Sequence, residues 1–232
     1  MNSIFHIKYF LFGIFSLIGA IVFAQELPEN EDENNPEDVT KNDWQKLGFG
    51  AIEYVQPITT GDNNFFGLGI KGKSGFNIRA QLFVYEHIFV SATIGTSYFT
   101  VNDKSLVGNY NKTQVNHQYV NIGYEIIPVK NVRIGLSFSV FGQVDHENKS
   151  RTNTNDAFQI DDGQVRSYEG YIDYMLNKEF AICLNYSYRN DKMDIVSPPE
   201  IQSLFERASF HNIGVGVKLY FGQSAVFPTV FE

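Results

Sequence analysis

The amino-acid sequence predicts an all-β protein, a closed eight-stranded antiparallel up-and-down transmembrane β-barrel. Three observations predict this fold: apolar and polar residues alternate with period two, the alternation recurs in eight segments, and long and short connections between the segments alternate strictly. The predicted strands are 47–58, 75–86, 88–101, 116–127, 131–145, 164–176, 179–190 and 208–221.

The alternation gives each segment one apolar face. In 179–190 this face consists of Phe180, Ile182, Leu184, Tyr186 and Tyr188. A tilted strand needs about 9 to 11 residues to cross the hydrocarbon layer of a membrane, and each segment is long enough. We therefore expect the apolar faces to point toward lipid. The alternative is a water-soluble barrel of the lipocalin kind, whose apolar faces surround a ligand.

The connections between the segments fall into two classes by length. The long connections are 59–74, 102–115, 146–163 and 191–207. The short turns are predicted at His87, Pro128–Lys130 and Asn177–Lys178. Bacterial outer-membrane barrels combine short periplasmic turns with long outer loops. The sequence therefore predicts a location in the cell outer membrane, with both termini in the periplasm.

The two ends of the chain differ in composition from the strand segments. Residues 1–24 contain an uncharged apolar run and end on Val-Phe-Ala, which is typical of a secretory signal peptide. Residues 25–45 contain eight acids and one base and are predicted to be a disordered linker. The barrel is assigned to 46–222, and 223–232 is assigned as a C-terminal tail.

The composition excludes several classes of function. Most of the net charge of −8 belongs to the acidic linker, so no basic surface is available for nucleic acid. A single cysteine, Cys183, excludes a scaffold built on disulfides. The acids and the histidine in 145–147 and 161–163 lack the ligand spacing of zinc or calcium sites. We expect neither a metal nor another cofactor.

Apolar faces that point toward lipid leave eight charged residues facing the lumen. These residues are Glu53, Arg79, Glu125, Arg133, Glu169, Asp173, Arg189 and Lys218. The interior of an eight-stranded barrel is just wide enough for side chains to fill it, so we expect ion pairs that leave no wide channel. A narrow solute path lined by the same charges is the alternative. In 164–176, placing Glu169 and Asp173 inside turns Arg166 outward. Arg166 lies at the rim of the barrel, where a charge that faces lipid costs little free energy.

The sequence resembles the small OmpA/OmpX-type outer-membrane β-barrels, particularly the "outer membrane β-barrel domain" proteins of Bacteroidetes. The resemblance covers 46–221 and rests on the signal peptide, the eight segments, the loop asymmetry and the closing strand IGVGVKLYF. The C-terminal residues differ from those of this family. In most members the last strand ends the chain on an aromatic residue, as Phe221 would, but here GQSAVFPTVFE follows.

One set of residues is a candidate for acyl-ester chemistry. Glu206, Ser209 and His211 lie where the last strand leaves the outer leaflet, and outer-membrane lipid A deacylases place a serine, a histidine and an acid at such a site. Their order does not reproduce a deacylase motif, and side chains two residues apart point alike without necessarily touching. We therefore favour an interfacial serine and histidine without a catalytic role, and a lipid-modifying enzyme is the alternative.

The long loops carry cations at the height where lipopolysaccharide phosphates would lie. These candidates are Lys112, Lys149, Arg151, Arg166, Lys192 and Arg207. Polar loops also suit an extracellular or envelope protein partner. The sequence thus predicts a monomeric, non-enzymatic outer-membrane protein that contacts membrane lipids and lipopolysaccharide and has a structural or surface-interaction role. The alternatives are a narrow porin-like channel and a lipid-modifying enzyme.

Overall fold

The computed structural model describes residues 45–61, 64–150 and 159–227. The predicted signal peptide, nearly all of the acidic linker and the end of the C-terminal tail lie outside these residues. The strands of the described residues are β1 (Gly48–Thr59), β2 (Ile70–Tyr85), β3 (Ile88–Val101), β4 (Lys112–Val129), β5 (Val132–Lys149), β6 (Gln159–Gln164), β7 (Ser167–Met175), β8 (Phe180–Met193) and β9 (Arg207–Phe221). The short helices are α1 (Phe65–Gly69), α2 (Lys104–Val107) and α3 (Gln202–Phe205).

The strands form one closed antiparallel ring. Neighbours in the chain pair with each other, and β6 and β7 together occupy one position between β5 and β8. The ring closes between β1 and β9, from Gly48 opposite Phe221 to Thr59 opposite Phe210. It therefore has eight positions, and the predicted fold class is confirmed.

Side chains alternate between the exterior and the interior of the ring. The exterior carries exposed apolar side chains at all eight positions, for example Leu136 at 67% exposure and Val217 at 57%. We call this surface the apolar belt and represent it by one residue from each position: Ile52, Ile78, Val90, Ile122, Leu136, Ile172, Leu184 and Val217. The interior holds charged, polar and aromatic side chains.

The strands extend further at the long-loop end than the sequence predicted. β2 begins at Ile70, β4 begins at Lys112 and β5 continues to Lys149, because the backbone pairing of adjacent strands continues beyond the predicted boundaries. At the other end, the turn predicted at Pro128–Lys130 is misplaced. Val129 pairs with Val132, so the turn consists of residues 130 and 131.

A β-bulge in β5 was not predicted. Val120 lies opposite Phe141 and Asn121 lies opposite Ser139, so Val140 is an extra residue in β5. An extra residue reverses the alternation of a strand. Arg133 and Ser137 therefore point inward before the bulge, whereas Val144 and His146 point inward after it.

Helix α1 turns two phenylalanines into the long-loop end of the barrel. Asn64 caps the helix by accepting a hydrogen bond from the Gly67 N–H at 3.1 Å. Phe65 and Phe66 are buried in a cluster that we call the loop-end cluster, whose members include Phe65, Phe66, Phe99, Val115, Tyr119, Val144 and Phe210. Of the helices formed by the described residues, none has the length and apolar character needed to cross a membrane.

A second buried cluster lies at the short-turn end. We call it the turn-end cluster, and its members are Phe49, Ala51, Phe83, Phe89, Tyr171, Met175, Ala181, Tyr220 and Ala225. The start of the C-terminal tail packs here, because the N–H groups of Val226 and Phe227 donate to the carbonyl oxygens of Phe83 and Val84. Gly222 permits the turn into the tail with a φ of 70°.

Two strand glycines differ in the free space beside their backbone, and alanine substitutions test this difference. A Cβ at Gly95 would lie 2.1 Å from Asn77 Oδ1 and 2.7 Å from the Phe76 carbonyl oxygen, whereas a Cβ at Gly50 would meet nothing within 4 Å. We expect Gly95→Ala to lower the free energy of unfolding by about 1–3 kcal/mol through overpacking. Gly50→Ala should leave it nearly unchanged. Urea unfolding in detergent micelles measures both variants, and equal stabilities would contradict this strand register.

Candidate functional site

The eight charged residues predicted for the lumen all lie inside the ring, and none is more than 5% exposed. They come from seven ring positions. Arg79, Arg133 and Lys218 each meet carboxylates of other strands. We call this set, with the polar side chains bonded to it, the lumen network. It begins just inside the turn-end cluster and reaches the loop-end cluster.

Glu125 anchors the part of the network nearest the short turns. Arg133 Nη1 lies 2.7 Å from Glu125 Oε1, and the Tyr171 hydroxyl donates to Glu125 Oε2 at 2.6 Å. Gln81 Nε2 donates to the Tyr171 hydroxyl oxygen at 3.1 Å. Both oxygens of this buried carboxylate are therefore bonded, which offsets much of the cost of removing its charge from water.

Asp173 forms the adjoining centre. Lys218 Nζ lies 2.7 Å from Asp173 Oδ2, and the Tyr220 hydroxyl donates to the same oxygen at 2.6 Å. The Lys218 ammonium also lies 3.4 Å from the centroid of the Tyr171 ring and 4.0 Å from that of Phe49. Ring faces attract cations, so these aromatic residues supply part of the solvation that Lys218 has lost.

Arg79 joins two carboxylates in the middle of the lumen. Its Nη1 lies 2.7 Å from Glu169 Oε2, and its Nε lies 3.6 Å from Glu53 Oε1. Glu169 Oε1 accepts hydrogen bonds from the Tyr119 hydroxyl at 2.5 Å and the Ser167 hydroxyl at 3.0 Å. Arg79 therefore links β1, β2 and β7 across the barrel.

Arg189 pairs with Asp191 beneath the loop-end cluster. The guanidinium donates to both carboxylate oxygens, through Nε to Oδ1 at 2.9 Å and through Nη2 to Oδ2. The Arg189 guanidinium carbon also lies 5.2 Å from the centroid of the Phe210 ring. The sequence pattern placed Asp191 in a loop, but β8 continues to Met193 and brings it inside.

Several members of the network were missed, although the sequence contains a pattern that finds them. Each lies an even number of residues from a predicted lumen charge and therefore shares its face of the strand. Asp191 is two residues from Arg189, Tyr220 is two from Lys218, and Tyr171 lies midway between Glu169 and Asp173. Tyr119 is six residues before Glu125.

Aromatic clusters cover the network at both ends. At the long-loop end, the ring of Phe66 lies 5.0 Å from Phe99 and 5.4 Å from Phe210, measured between centroids. At the short-turn end, Phe49 lies 5.1 Å from Tyr220. The charged groups thus bond to one another between two apolar covers. This arrangement links strands to one another across the lumen.

The serine, histidine and acid considered for ester chemistry are not bonded to one another. Ser209 and His211 both lie on the exterior face of β9, with Glu206 exposed just before the strand. The Ser209 hydroxyl donates to Asn190 Oδ1 at 3.1 Å. His211 Nδ1 lies 2.7 Å from the Tyr186 hydroxyl. Neither contact prepares Ser209 as a nucleophile, because activation requires a base within hydrogen-bond reach of its hydroxyl.

The predicted rim cations occupy different environments. Lys112, Arg166, Lys192 and Arg207 are exposed. Lys149 is buried, with its ammonium 3.0 Å from Glu147 Oε2 and 2.9 Å from Gln114 Oε1. Arg151 lies outside the described residues.

Cys183 is buried on the lumen side of β8, and the described residues contain no cluster of three metal-ligating side chains.

Comparison with solved structures shows the same fold in a bacterial outer-membrane protein, OprG. OprG of Pseudomonas aeruginosa is 12% identical, with a TM-score of 0.50 over 78% of this chain and 100% of OprG. Neisserial surface protein A is 8% identical, with a TM-score of 0.48 over 75% and 97%. Ail of Yersinia pestis is 12% identical, with a TM-score of 0.46 over 76% and 99%. The sequence matches no protein-family model and no curated protein.

Substituting Arg79 tests whether the lumen network holds the barrel together. Arg79→Met leaves Glu53 and Glu169 without their buried cation, so we expect the free energy of unfolding to fall by about 3–5 kcal/mol. The measurements are urea unfolding and the temperature at which the folded band converts on SDS gels.

Two further variants separate the effect of charge from that of side-chain shape. Ile78→Met changes the neighbouring belt residue and should have little effect. The double variant Arg79→Met/Glu169→Gln removes one of the stranded charges and should regain part of the loss. Heat-modifiability of Arg79→Met equal to that of the wild type would contradict the assigned role.

Proposed function

We propose that the protein is an outer-membrane β-barrel with a structural or surface-interaction role, exercised through its outer loops and without enzymatic activity. The apolar belt carries this proposal. In water, so large a continuous apolar surface promotes aggregation, whereas hydrocarbon solvates it. Closure of the ring also pairs the backbone of every strand, which a membrane interior requires because it offers no hydrogen bonds.

Comparison and sequence both support this location. OprG is named an outer membrane protein, and it shares the barrel fold at a TM-score of 0.50. The N-terminal 24 residues have the pattern of a secretory signal peptide. We therefore also propose a place among the OmpA/OmpX-type barrels of Bacteroidetes, which the eight segments, the loop asymmetry and the closing strand IGVGVKLYF support.

The orientation follows from the two ends of the barrel. β1 begins and β9 ends at the short-turn end, beside the turns β2–β3, β4–β5 and β7–β8. Barrels of this class place their short turns in the periplasm. We accordingly place both termini in the periplasm and the long loops at the cell surface.

The bonding between the charged groups of the lumen favours an interaction role over a channel. A conducting pore needs a continuous water-filled path, but here the charged groups are bonded to one another and covered by the loop-end and turn-end clusters. The enzymatic alternative is disfavoured because the Ser209 hydroxyl and the His211 ring each bond to another residue.

The long loops contain ordered elements that suit recognition. α1, α2 and α3 each lie in a different loop. Asp103 caps α2 by accepting hydrogen bonds from the N–H groups of Ser105 and Leu106, and the hydrogen bonds from Ser105 hold the pKa of the Asp103 carboxyl below its ordinary value. Val196 in the β8–β9 loop is 96% exposed. Ordered loops with exposed apolar residues give a protein partner fixed contact points.

Epitope insertion tests the location and the orientation together. One epitope is placed between Pro198 and Pro199 in the β8–β9 loop, and a second is fused to the C-terminus. We expect antibody to label the loop epitope on intact cells, whereas the C-terminal epitope becomes accessible only after the outer membrane is permeabilised. A processed chain that is recovered as a water-soluble periplasmic monomer would refute the membrane location. Steady single-channel steps in planar bilayers would refute the non-conducting lumen.

A further inference from the structure

Helix α1 covers the long-loop end of the lumen with two aromatic rings. Phe66 is completely buried, and its ring lies 5.0 Å from Phe99 and 5.4 Å from Phe210, measured between centroids. The ring of Phe65 stacks on that of Phe205 at 5.2 Å. A helix of 5 residues is too short to be stable by itself, so its position depends on the contacts that it makes with the strands and loops.

His146 of β5 packs against both of these rings. The centroid of its imidazole lies 5.0 Å from that of Phe66 and 6.2 Å from that of Phe65, and its side chain is buried. Neither ring nitrogen makes a hydrogen bond with any residue of the described ranges. The neutral imidazole packs here as another aromatic ring. A protonated imidazole is a cation, and a buried cation without hydrogen-bond acceptors is costly.

The charged groups around His146 do not compensate a positive charge on its ring. Arg189 of β8 repels such a charge, and His117 of β4 repels it as well once it is itself protonated. Asp161 lies opposite His146 in the pairing of β5 with β6, but both of its carboxylate oxygens accept from Gln159 Nε2, at 2.9 and 2.8 Å. The other carboxylates of these strands and of the lumen nearby are paired with cations: Asp191 with Arg189, Glu147 with Lys149, and Glu169 with Arg79. Asp145 lies on the opposite face of β5.

We propose that α1 is an acid-sensitive cover, which closes the long-loop end of the barrel while His146 is neutral and opens when His146 binds a proton. In the open form water reaches the imidazole, so the open form binds a proton more tightly than the closed form does. Acid therefore shifts the equilibrium toward the open form. An exposed histidine titrates near about pH 6.5, so the ratio of open to closed molecules rises by up to about tenfold for each pH unit below this value.

Opening exposes the aromatic residues of the loop-end cluster at the end of the barrel that carries the long loops. Under the proposed function this end faces the cell exterior, so acid uncovers an apolar surface there. The turn-end cluster remains closed, because His146 is not part of it. The equilibrium of α1 depends only on the contacts around His146, and it does not require the membrane location.

Thiol labelling at a buried position measures the opening. In a Cys183→Ser background, Ala208→Cys places a thiol in the loop-end cluster. The N–H of the next residue, Ser209, lies 3.5 Å from Asn64 Oδ1 at the start of α1. The labelling rate in detergent micelles is divided by that of the exposed Val196→Cys, so that the pH dependence of the reagent cancels. We expect this ratio to rise by roughly a hundredfold between pH 6.5 and 4.5.

Three further variants identify the origin of the response. His146→Phe keeps an aromatic ring that binds no proton, so the ratio should stay constant between the two pH values. His211→Phe removes a histidine from the exterior face of β9 and should leave the response unchanged. Ala181→Cys in the turn-end cluster should remain protected from the reagent at pH 4.5, because the opening is confined to the other end. Heat-modifiability on SDS gels at neutral pH verifies that each variant is folded, and His146→Leu replaces His146→Phe if the latter does not fold.

The inference is overturned if the ratio for Ala208→Cys does not change with pH, or if the response persists with His146→Phe. It is also overturned if Ala181→Cys and Ala208→Cys become reactive together, because that result means that the whole barrel unfolds. A chain that opens in acid as expected but is recovered as a water-soluble monomer refutes the proposed function and leaves the acid-sensitive cover intact.

Discussion

Closure of the sheet is the constraint on which the rest of the structure depends. β1 and β9 pair over twelve positions from Gly48 to Thr59, and this pairing removes the two edges that the sheet would otherwise expose. A closed sheet has only an outer and an inner face. The period-two alternation of each strand therefore decides what faces the surroundings and what must be accommodated within. Apolar residues form the belt, and the charged residues of the lumen network point inward.

The small lumen forces those charges into specific contacts. A barrel with eight positions has room for side chains but for little water, so each buried charge needs an opposite charge beside it. Arg79 meets Glu53 and Glu169, and Asp173 meets Lys218. Tyrosine hydroxyls donate further hydrogen bonds to Glu125, Glu169 and Asp173. The phenylalanines at each end then separate these contacts from bulk water, which strengthens them electrostatically.

The sequence predicted those features that depend on periodicity and missed those that depend on local irregularity. The strand phase and the inward charges follow from the alternation of apolar and polar residues. The ring of eight positions follows from the eight alternating segments and from their alternating long and short connections. The bulge at Val140 was missed, although two successive exterior apolar residues, Val140 and Phe141, break the alternation there. His146 was assigned to a loop, but β5 continues to Lys149, and the reversed phase turns the His146 side chain inward. Phe65 and Phe66 were likewise assigned to a loop, and nothing in a single sequence says that a loop folds back into the barrel.

The orientation of the apolar belt toward hydrocarbon is the central claim, and spin-label accessibility tests it most directly. In a Cys183→Ser background, a nitroxide is attached at Val217→Cys on the belt or at Val196→Cys in the β8–β9 loop. With the protein in lipid bilayers, the label at position 217 should collide with oxygen far more often than with a water-soluble nickel complex. The label at position 196 should show the reverse. Nickel accessibility at position 217 equal to that at position 196 would contradict the account.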